Sequence, residues 1–432
     1  MRSPGPARTG GGSAMSGTPH VAAIVDPYST GAYLQAEFAA RGWASVAVLS
    51  TPDIPRMFGP VPHAGRFLEV ITGPDPDQVV AALRRYPVSV AIPGCETGVP
   101  LADELAEQMG LPGNGTAGSV SRRDKHAMAQ ALVRHGVRAP ETIVAADPDS
   151  IVRWADERNL WPIVVKPPGS AGNDGVTRCA TAAQARAAFA RLYRRAHRYG
   201  GRNDVVLAQE LLTGQQFFVN TVSVNGGHYV AEIWEDTRRP VPGGGVAYDV
   251  EKLMMPGGEP QQALARYVSQ ALDALGIAWG PAHSELMLTG SGPVLIETGA
   301  RLQGSFLLDS VRAATGHNHL TLTVDCYTDP GRLAALIGRP YPVRRQLWVV
   351  ALIAPYDGHL ATDGAVAELR SLPTLHDVIG DLSPGRAVSR TVDLLSAPAG
   401  LYLMADDAAE LQRDYARIRH LEANGLYVPT AA

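Results

Sequence analysis

The sequence predicts a multi-lobed α/β protein, and three stretches carry that prediction. Near the start, short β-branched strands such as Val21 to Val25 and Val88 to Ile92 run into small-residue turns and then helices. In the middle, a strand ending at Lys166 enters a glycine-rich segment spanning residues 167–175. Later, Glu285-Leu-Met-Leu-Thr289 and Pro293-Val-Leu-Ile-Glu297 flank Gly290-Ser-Gly292, the pattern of a β-hairpin.

Composition narrows the class. A length of 432 residues is enough for two or three cores, and a net charge of −4 offers no footprint for nucleic acid. No apolar run approaches a membrane span. Three scattered cysteines, Cys95, Cys179 and Cys326, fit no zinc spacing and suit a reducing cytoplasm. Residues 1–18 lack the apolar centre of a signal peptide and read as a disordered tail, with Met15 an alternative start.

Taken in order, strand 21–25 is followed by the turn Asp26-Pro-Tyr-Ser-Thr-Gly31, a helix over 32–41 and a strand over 45–49. Strand 88–92 leads into Pro93-Gly-Cys-Glu96-Thr-Gly98 and a helix through Leu101 to Met109, stopped by Gly110. Both turns lie at carboxyl ends of strands, where open α/β sheets bind ligands. Glu96 fits a substrate contact or an ordinary cap equally well. A helix over 125–135 has Ser121 or Asp124 as its cap. Lys125 in its first turn opposes the helix dipole, which favours a role toward an anion.

A glycine-rich loop entered by a strand-terminal lysine can wrap polyphosphate with backbone N–H groups. It is neither GxxxxGK[ST] nor GxGxxG, and it leads to a strand, 176–179. Residues 205–222 read as strand, polar hinge and strand, suited to a purine held between lobes. A strand from Gly226 is expected to give way to a flexible loop over 237–245, then a helix over 261–275. Past Tyr327, a helix at 332–337, a strand at 347–353 and a helix at 412–424 suggest a small α/β lobe.

The hairpin sets Glu285 and Glu297 side by side with Arg301 just beyond. Two adjacent carboxylates near a phosphate suit Mg²⁺, and the arginine suits a remaining anion. Spacing alone fits two solvated glutamates as well; the upstream lysines and glycines favour the metal.

Taken together, these parts resemble the ATP-grasp superfamily of carboxylate–amine ligases, over nearly the whole chain after the tail. Gly94-Cys-Glu-Thr-Gly98, Arg123-Asp-Lys125, Gly280-Pro-Ala-His283-Ser-Glu285 and Glu297-Thr-Gly-Ala-Arg301 are similar to the L-amino acid ligase branch, which joins two amino acids. The resemblance implies a pre-ATP-grasp α/β domain at 19–114 and an ATP-grasp domain at 115–330, with a lid subdomain near 140–212. A C-terminal α/β lobe at 331–432 follows. It implies ATP and Mg²⁺, with Mn²⁺ as a substitute, and a homodimer.

By the same resemblance, Lys125 and Lys166 meet the phosphates beneath a lid of Gly169, Ser170, Gly172 and Gly175. Gln209, Glu210 and Leu212 line the adenine hinge, and Gln216 meets the ribose. Glu285 and Glu297 hold the metal. Arg301 and Gly304 stabilise the acyl-phosphate chemistry, while His283, Ser305, Arg301 and Glu96 lie near the amino-acid substrate. Relatives often carry glutamate where Gln209 and Gln216 stand, and asparagine where Gly299 stands. The expected reaction is amide formation through an acyl phosphate, releasing ADP and phosphate. Ligation of a non-proteinogenic or nucleoside amino acid in secondary metabolism is one alternative, and a non-catalytic nucleotide-binding protein is another.

Overall fold

In the computed structural model the described residues are 20–52, 60–169, 175–196, 202–241, 245–304, 307–393 and 396–430. The first lobe is a parallel sheet of β1 (Val21–Val25), β2 (Ala44–Leu49), β3 (Val70–Thr72) and β4 (Val88–Pro93), in the order β3-β2-β1-β4. Its strands are apolar because helices cover them. Where a helix over 32–41 was expected, a 3₁₀ turn at Ser29–Tyr33 precedes a shorter helix, Leu34–Ala39. Close packing explains the turn: a Cβ on Gly31 would run into the Gly94 carbonyl, so the loops after β1 and β4 touch through glycines. Buried Asp26 ties these loops together, accepting from Ser50 N at 2.9 Å, Ser50 Oγ at 2.7 Å and Thr97 Oγ1 at 2.5 Å. That junction fixes the turn carrying Glu96.

The second sheet is antiparallel and contains β5 (Thr142–Ala145), β6 (Ile163–Lys166), β7 (Thr177–Cys179) and β8 (Val206–Glu210), ordered β5-β8-β6-β7. Helices Pro148–Glu157 and Ala182–Leu192 cover one face, burying Ile151, Ile163, Val165 and Phe189. Asp147 and Thr181 cap these helices through the N–H groups of Ser150 and Gln184.

Continuing the chain are β9 (Gln215–Val224), β10 (Gly227–Val241), β11 (Gly245–Leu253), β12 (Gly280–Thr289) and β13 (Gly292–Gly299). After them come β14 (Gln346–Ala351), β15 (Gly358–Leu360), β16 (Leu375–Gly380), β17 (Ala387–Val388), β18 (Ala399–Ala405) and β19 (Tyr427–Pro429). Eight of these form one antiparallel sheet, β13-β12-β9-β10-β11-β14-β18-β16, so strands on both sides of residue 330 share it. The flexible loop expected over 237–245 is overturned through Val241. Residues 237–241 continue β10 and pair with Gly245–Val250 of β11, while 242–244 lie outside the described residues. Arg238, Arg239 and Pro240 lack strand-like composition. Cross-strand partners hold them in place: Arg238 lies 4.3 Å over the Tyr248 ring, and Arg239 pairs with Asp249 at 3.1 Å.

Helix Glu259–Ala274 packs beneath β12 and β13 through Leu264, Val268 and Leu272, spaced as one helical stripe. Each such fully buried side chain contributes roughly 2 kcal/mol. Tyr267 adds a polar anchor: its hydroxyl accepts from Leu295 N at 2.9 Å and donates to the Arg138 carbonyl at 2.5 Å.

Directly paired residues point to the same face. One file across the sheet is therefore Glu297, Glu285, Phe218 and Trp234; a second is Gln216, Asp236, Glu251, Val349 and Tyr402. These files place charged groups at one end of a face and apolar ones at the other.

Candidate active site

The expected hairpin is present, with Glu285 opposite Glu297. Asp124, not Ser121, caps the helix Lys125–Arg134: its carboxylate accepts from His126 N and Ala127 N, whereas Ser121 Oγ donates to the Gly118 carbonyl. The cap points the first turn at the hairpin, and Lys125 Nζ lies 2.5 Å from Glu297 Oε2. Lys125 N also donates to the Pro168 carbonyl at 3.2 Å, joining this helix to the start of the glycine-rich segment.

A cleft of about 810 Å³ gathers Lys125, Lys166, Gln209, Glu210, Leu212, Gln216, Glu285 and Glu297 between the β5-β8-β6-β7 sheet and the eight-stranded sheet. Gly169 lies in a neighbouring cavity of about 380 Å³ with Glu96, Arg123, His283, Gly299 and Arg301, and both cavities share Lys125 and Glu297. Gly175 has a φ of +68° beside Pro167 and Leu192. Ser170, Gly172 and Ser305 lie outside the described residues. Gly304 is placed apart from Arg301's cavity, on the wall of a third pocket described below.

The charges perturb one another. Burial, with Lys125 nearby, pushes the Lys166 ammonium down to about 8. Burial, with Glu297 beside it, pushes the Glu285 carboxyl up to about 7. Burial alone would raise Glu297 too, but Lys125, Lys166 and Arg301 outweigh it and hold that carboxyl below its ordinary range. Gln216 Nε2 donates to Glu285 at 3.1 Å, and Arg238 reaches it at 3.4 Å from a 2.8 Å pair with Asp236. Among the described residues no group of three or more His, Cys, Asp or Glu is arranged to hold a metal. Two hard carboxylates suit a cation that completes its shell with phosphate oxygens and water, as Mg²⁺ does. The raised Glu285 carboxyl fits that reading, since a divalent cation would favour its ionised form.

At the cavity's other wall, Arg301 Nε donates to Glu96 Oε2 at 2.9 Å, and Arg123 lies 3.5 Å from Glu96 Oε1. A Cβ on Gly299 would stand 2.8 Å from Glu96 Oε2 and 3.1 Å from Arg301 Nε, so glycine leaves room for this pair. His283 Nδ1 lies 2.8 Å from Asn220 Oδ1. Burial, then Arg301 and His319, hold the His283 imidazole well below its usual range and hence neutral.

Sequence reasoning missed Arg238, Asp236 and Tyr248. Their signal was the i, i+2 spacing of Asp236 and Arg238, which puts both on one strand face; it was hidden by reading that stretch as a loop. It also missed Asn220, whose buried amide joins His283 to Gln303.

No family model matches the chain. Over 409 residues it is 29% identical to dapdiamide A synthase of Enterobacter agglomerans, covering 94% of this chain and 96% of that protein. The crystal structure of an L-amino acid ligase from Bacillus licheniformis superposes with a TM-score of 0.72 at 20% identity, covering 96% of this chain and 99% of that one. The chain has the ATP-grasp fold. A second ATP-grasp structure, carboxyaminoimidazole ribonucleotide synthase from Aspergillus clavatus complexed with ATP, matches at TM-score 0.66 and 13% identity, covering 94% of this chain and 99% of that one. Among the described residues, no helix is long and apolar enough to cross a membrane.

Proposed function

We propose that the chain is an ATP-dependent carboxylate–amine ligase that uses Mg²⁺ and forms an amide bond, releasing ADP and phosphate. The observation that carries this is the shared wall of two cavities. Lys125 and Glu297 border both the cleft suited to a nucleotide and the cavity containing Arg301, His283 and Glu96. A carboxylate in the second cavity would face the terminal phosphate of a nucleotide in the first.

In this reading, Lys125 and Lys166 neutralise phosphate charge, while Gln209, Glu210 and Leu212 receive the adenine and Gln216 the ribose. Glu285 and Glu297 hold the metal, which supplies further charge neutralisation across the phosphates. A donor carboxylate oxygen attacks the γ-phosphorus, the bond to the β-phosphate oxygen breaks, and ADP leaves. An amine nitrogen then attacks the acyl carbon. Its C–N bond forms as the C–O bond to phosphate breaks, phosphate departs with the electron pair, and the nitrogen loses its excess protons to solvent. Arg301 donates to the oxygen that gains charge. The donor is a small amino acid or related carboxylate, and the likeness to dapdiamide A synthase supports a place in secondary metabolism.

The retained set of Lys125, Lys166, Glu285, Glu297 and Arg301 favours this over a non-catalytic nucleotide-binding protein. The test is ADP release with Mg-ATP across amino acids, singly and in pairs, with mass spectrometry of products. A product mass equal to the pair less one water is expected; ATP binding without release under any pairing would overturn the proposal. A homodimer is proposed as well, and light scattering coupled to size exclusion checks it.

A further inference from the structure

A third pocket, of about 900 Å³, opens toward the far end of the same sheet face and shares Tyr248 with the nucleotide cleft. Gln303 and Gly304 line it, and they lie just past Arg301 in the chain, after Leu302. Asn220 Nδ2 donates to Gln303 Oε1 at 2.7 Å while its Oδ1 meets His283 at 2.8 Å. A hydrogen-bonded partition thus separates this pocket from the cavity holding Arg301.

Its chemistry is unlike the cleft's. Val349 and Tyr402 are cross-strand partners, and Ala351 and Ile379 each pair with Gly400; all these residues line the pocket. A Cβ on Gly400 would come 2.8 Å from Ile379, so glycine keeps this floor open. Two carboxylates reach the pocket. Asp249 is engaged by Arg239, Arg419 and Tyr415. Glu251 makes no side-chain hydrogen bond or ion pair among the described residues, and none of the described lining residues is Lys or Arg. An apolar wall beside one carboxylate that no described side chain hydrogen-bonds or pairs suits a cationic amine with an apolar body.

We propose that this pocket binds the amine substrate, with its apolar side chain against Val349, Ala351, Ile379 and Tyr402 and its amino group beside Glu251. Once the ammonium has given a proton to the Glu251 carboxylate, the neutral amine reaches the acyl carbon past Gln303. This assignment rests on the ligase reading and adds to it which substrate enters from which side.

The test uses the full chain with Mg-ATP and each proteinogenic amino acid as donor carboxylate. Hydroxylamine is a nucleophile small enough to trap an acyl phosphate without filling the pocket. L-leucine, L-phenylalanine and their amides probe the pocket itself. In Ala351→Leu, kcat/KM for the apolar amines relative to hydroxylamine should fall by about thirtyfold through lost space. In Glu251→Gln, KM for the same amines should rise by about tenfold, in line with loss of a charge-assisted contact. Hydroxamate formation by each variant reports that it is folded. The proposal is overturned if both ratios stay within about twofold of wild type, since a filled or neutralised site must discriminate more than that. It is also overturned if wild type forms hydroxamate yet ligates none of the apolar amines. A wild type that forms no hydroxamate with any donor would instead sink the ligase reading beneath it.

Discussion

The two ends of one sheet face hold carboxyls lifted by the same first cause; both feel Asp236 and Arg238, and they differ in the rest of their surroundings. At the hairpin end, burial and Glu297 raise Glu285 to about 7, with Arg238 and Lys125 opposing. At the far end, burial and Asp236 raise Glu251 to about 8, with Arg238 alone opposing. Burial makes a carboxyl hard to ionise, and its neighbours decide what relieves it. Beside Lys125, Lys166 and a second carboxylate, the natural relief is a metal-bound polyphosphate. Among Val349, Ile379 and Tyr402, it is a single cation on an apolar body.

The sharpest way to break this contrast is Arg301→Met at the charged end. Loss of one oxyanion donor should lower kcat by about 10²–10³-fold while ATP affinity holds; steady-state kinetics with nucleotide-binding calorimetry checks it. An unchanged kcat would remove Arg301 from the chemistry.

A second prediction separates the two carboxyls by pH. Both lie above their ordinary value of 4.5, so the native state binds extra protons between 4.5 and about 7 or 8. The stability they contribute is complete below pH 4.5 and is lost as pH rises through those values. Lys166, lowered from 10.5 to about 8, gives the reverse limb: its contribution is complete above pH 10.5 and lost as pH falls through 8. Thermal unfolding of the ligand-free protein should therefore show these contributions weakest between pH 7 and 8. At a pH just below 7, Mg-ADP binding should release a proton from Glu285. Calorimetry in two buffers of different ionisation enthalpy should find the release gone in Glu285→Gln and kept in Glu251→Gln. Loss in both variants would mean the ends are not independent.

Gly299→Ala probes the charged end more gently. The added methyl must displace the flexible tips of Glu96 and Arg301, so unfolding free energy should change by less than about 1 kcal/mol. Turnover should nonetheless fall by about tenfold, because small misplacements of a reacting group cost rate. The smallest effect expected is that of Asp124→Ala, which removes the cap of the Lys125 helix at a cost of about 1 kcal/mol. Denaturant unfolding checks it, and the preference among amines at the far end should not move.

Much of the charged end was legible because its signals are local. Apolar alternation around Gly290-Ser-Gly292 dictates a hairpin, and a hairpin register brings Glu285 to Glu297. Asp124 announces a helix start, and a β-rich run ending at Lys166 announces a strand. The far end was not legible. Its pocket joins β11, β14, β16 and β18, strands spread from Gly245 to Ala405 and made neighbours only by pairing across the sheet. Arg238 and Tyr248 escaped for a related reason: a stretch written Thr237-Arg-Arg-Pro-Val241 lacks strand composition and becomes a strand only because β11 lies beside it.

By itself the sequence determined the local elements, the hairpin that pairs two glutamates, and the lysines and glycines that resemble an ATP-grasp ligase. Turn chemistry, capping and side-chain periodicity act over a few residues and can be read along the chain. Only the tertiary structure decided that Glu96 reaches both Arg301 and Arg123 from another lobe. The same is true of Gly299 leaving space for that contact, and of the apolar pocket built on the sheet's far strands. Those outcomes depend on which distant backbones pair and how closely they approach, and no short window of sequence contains both partners.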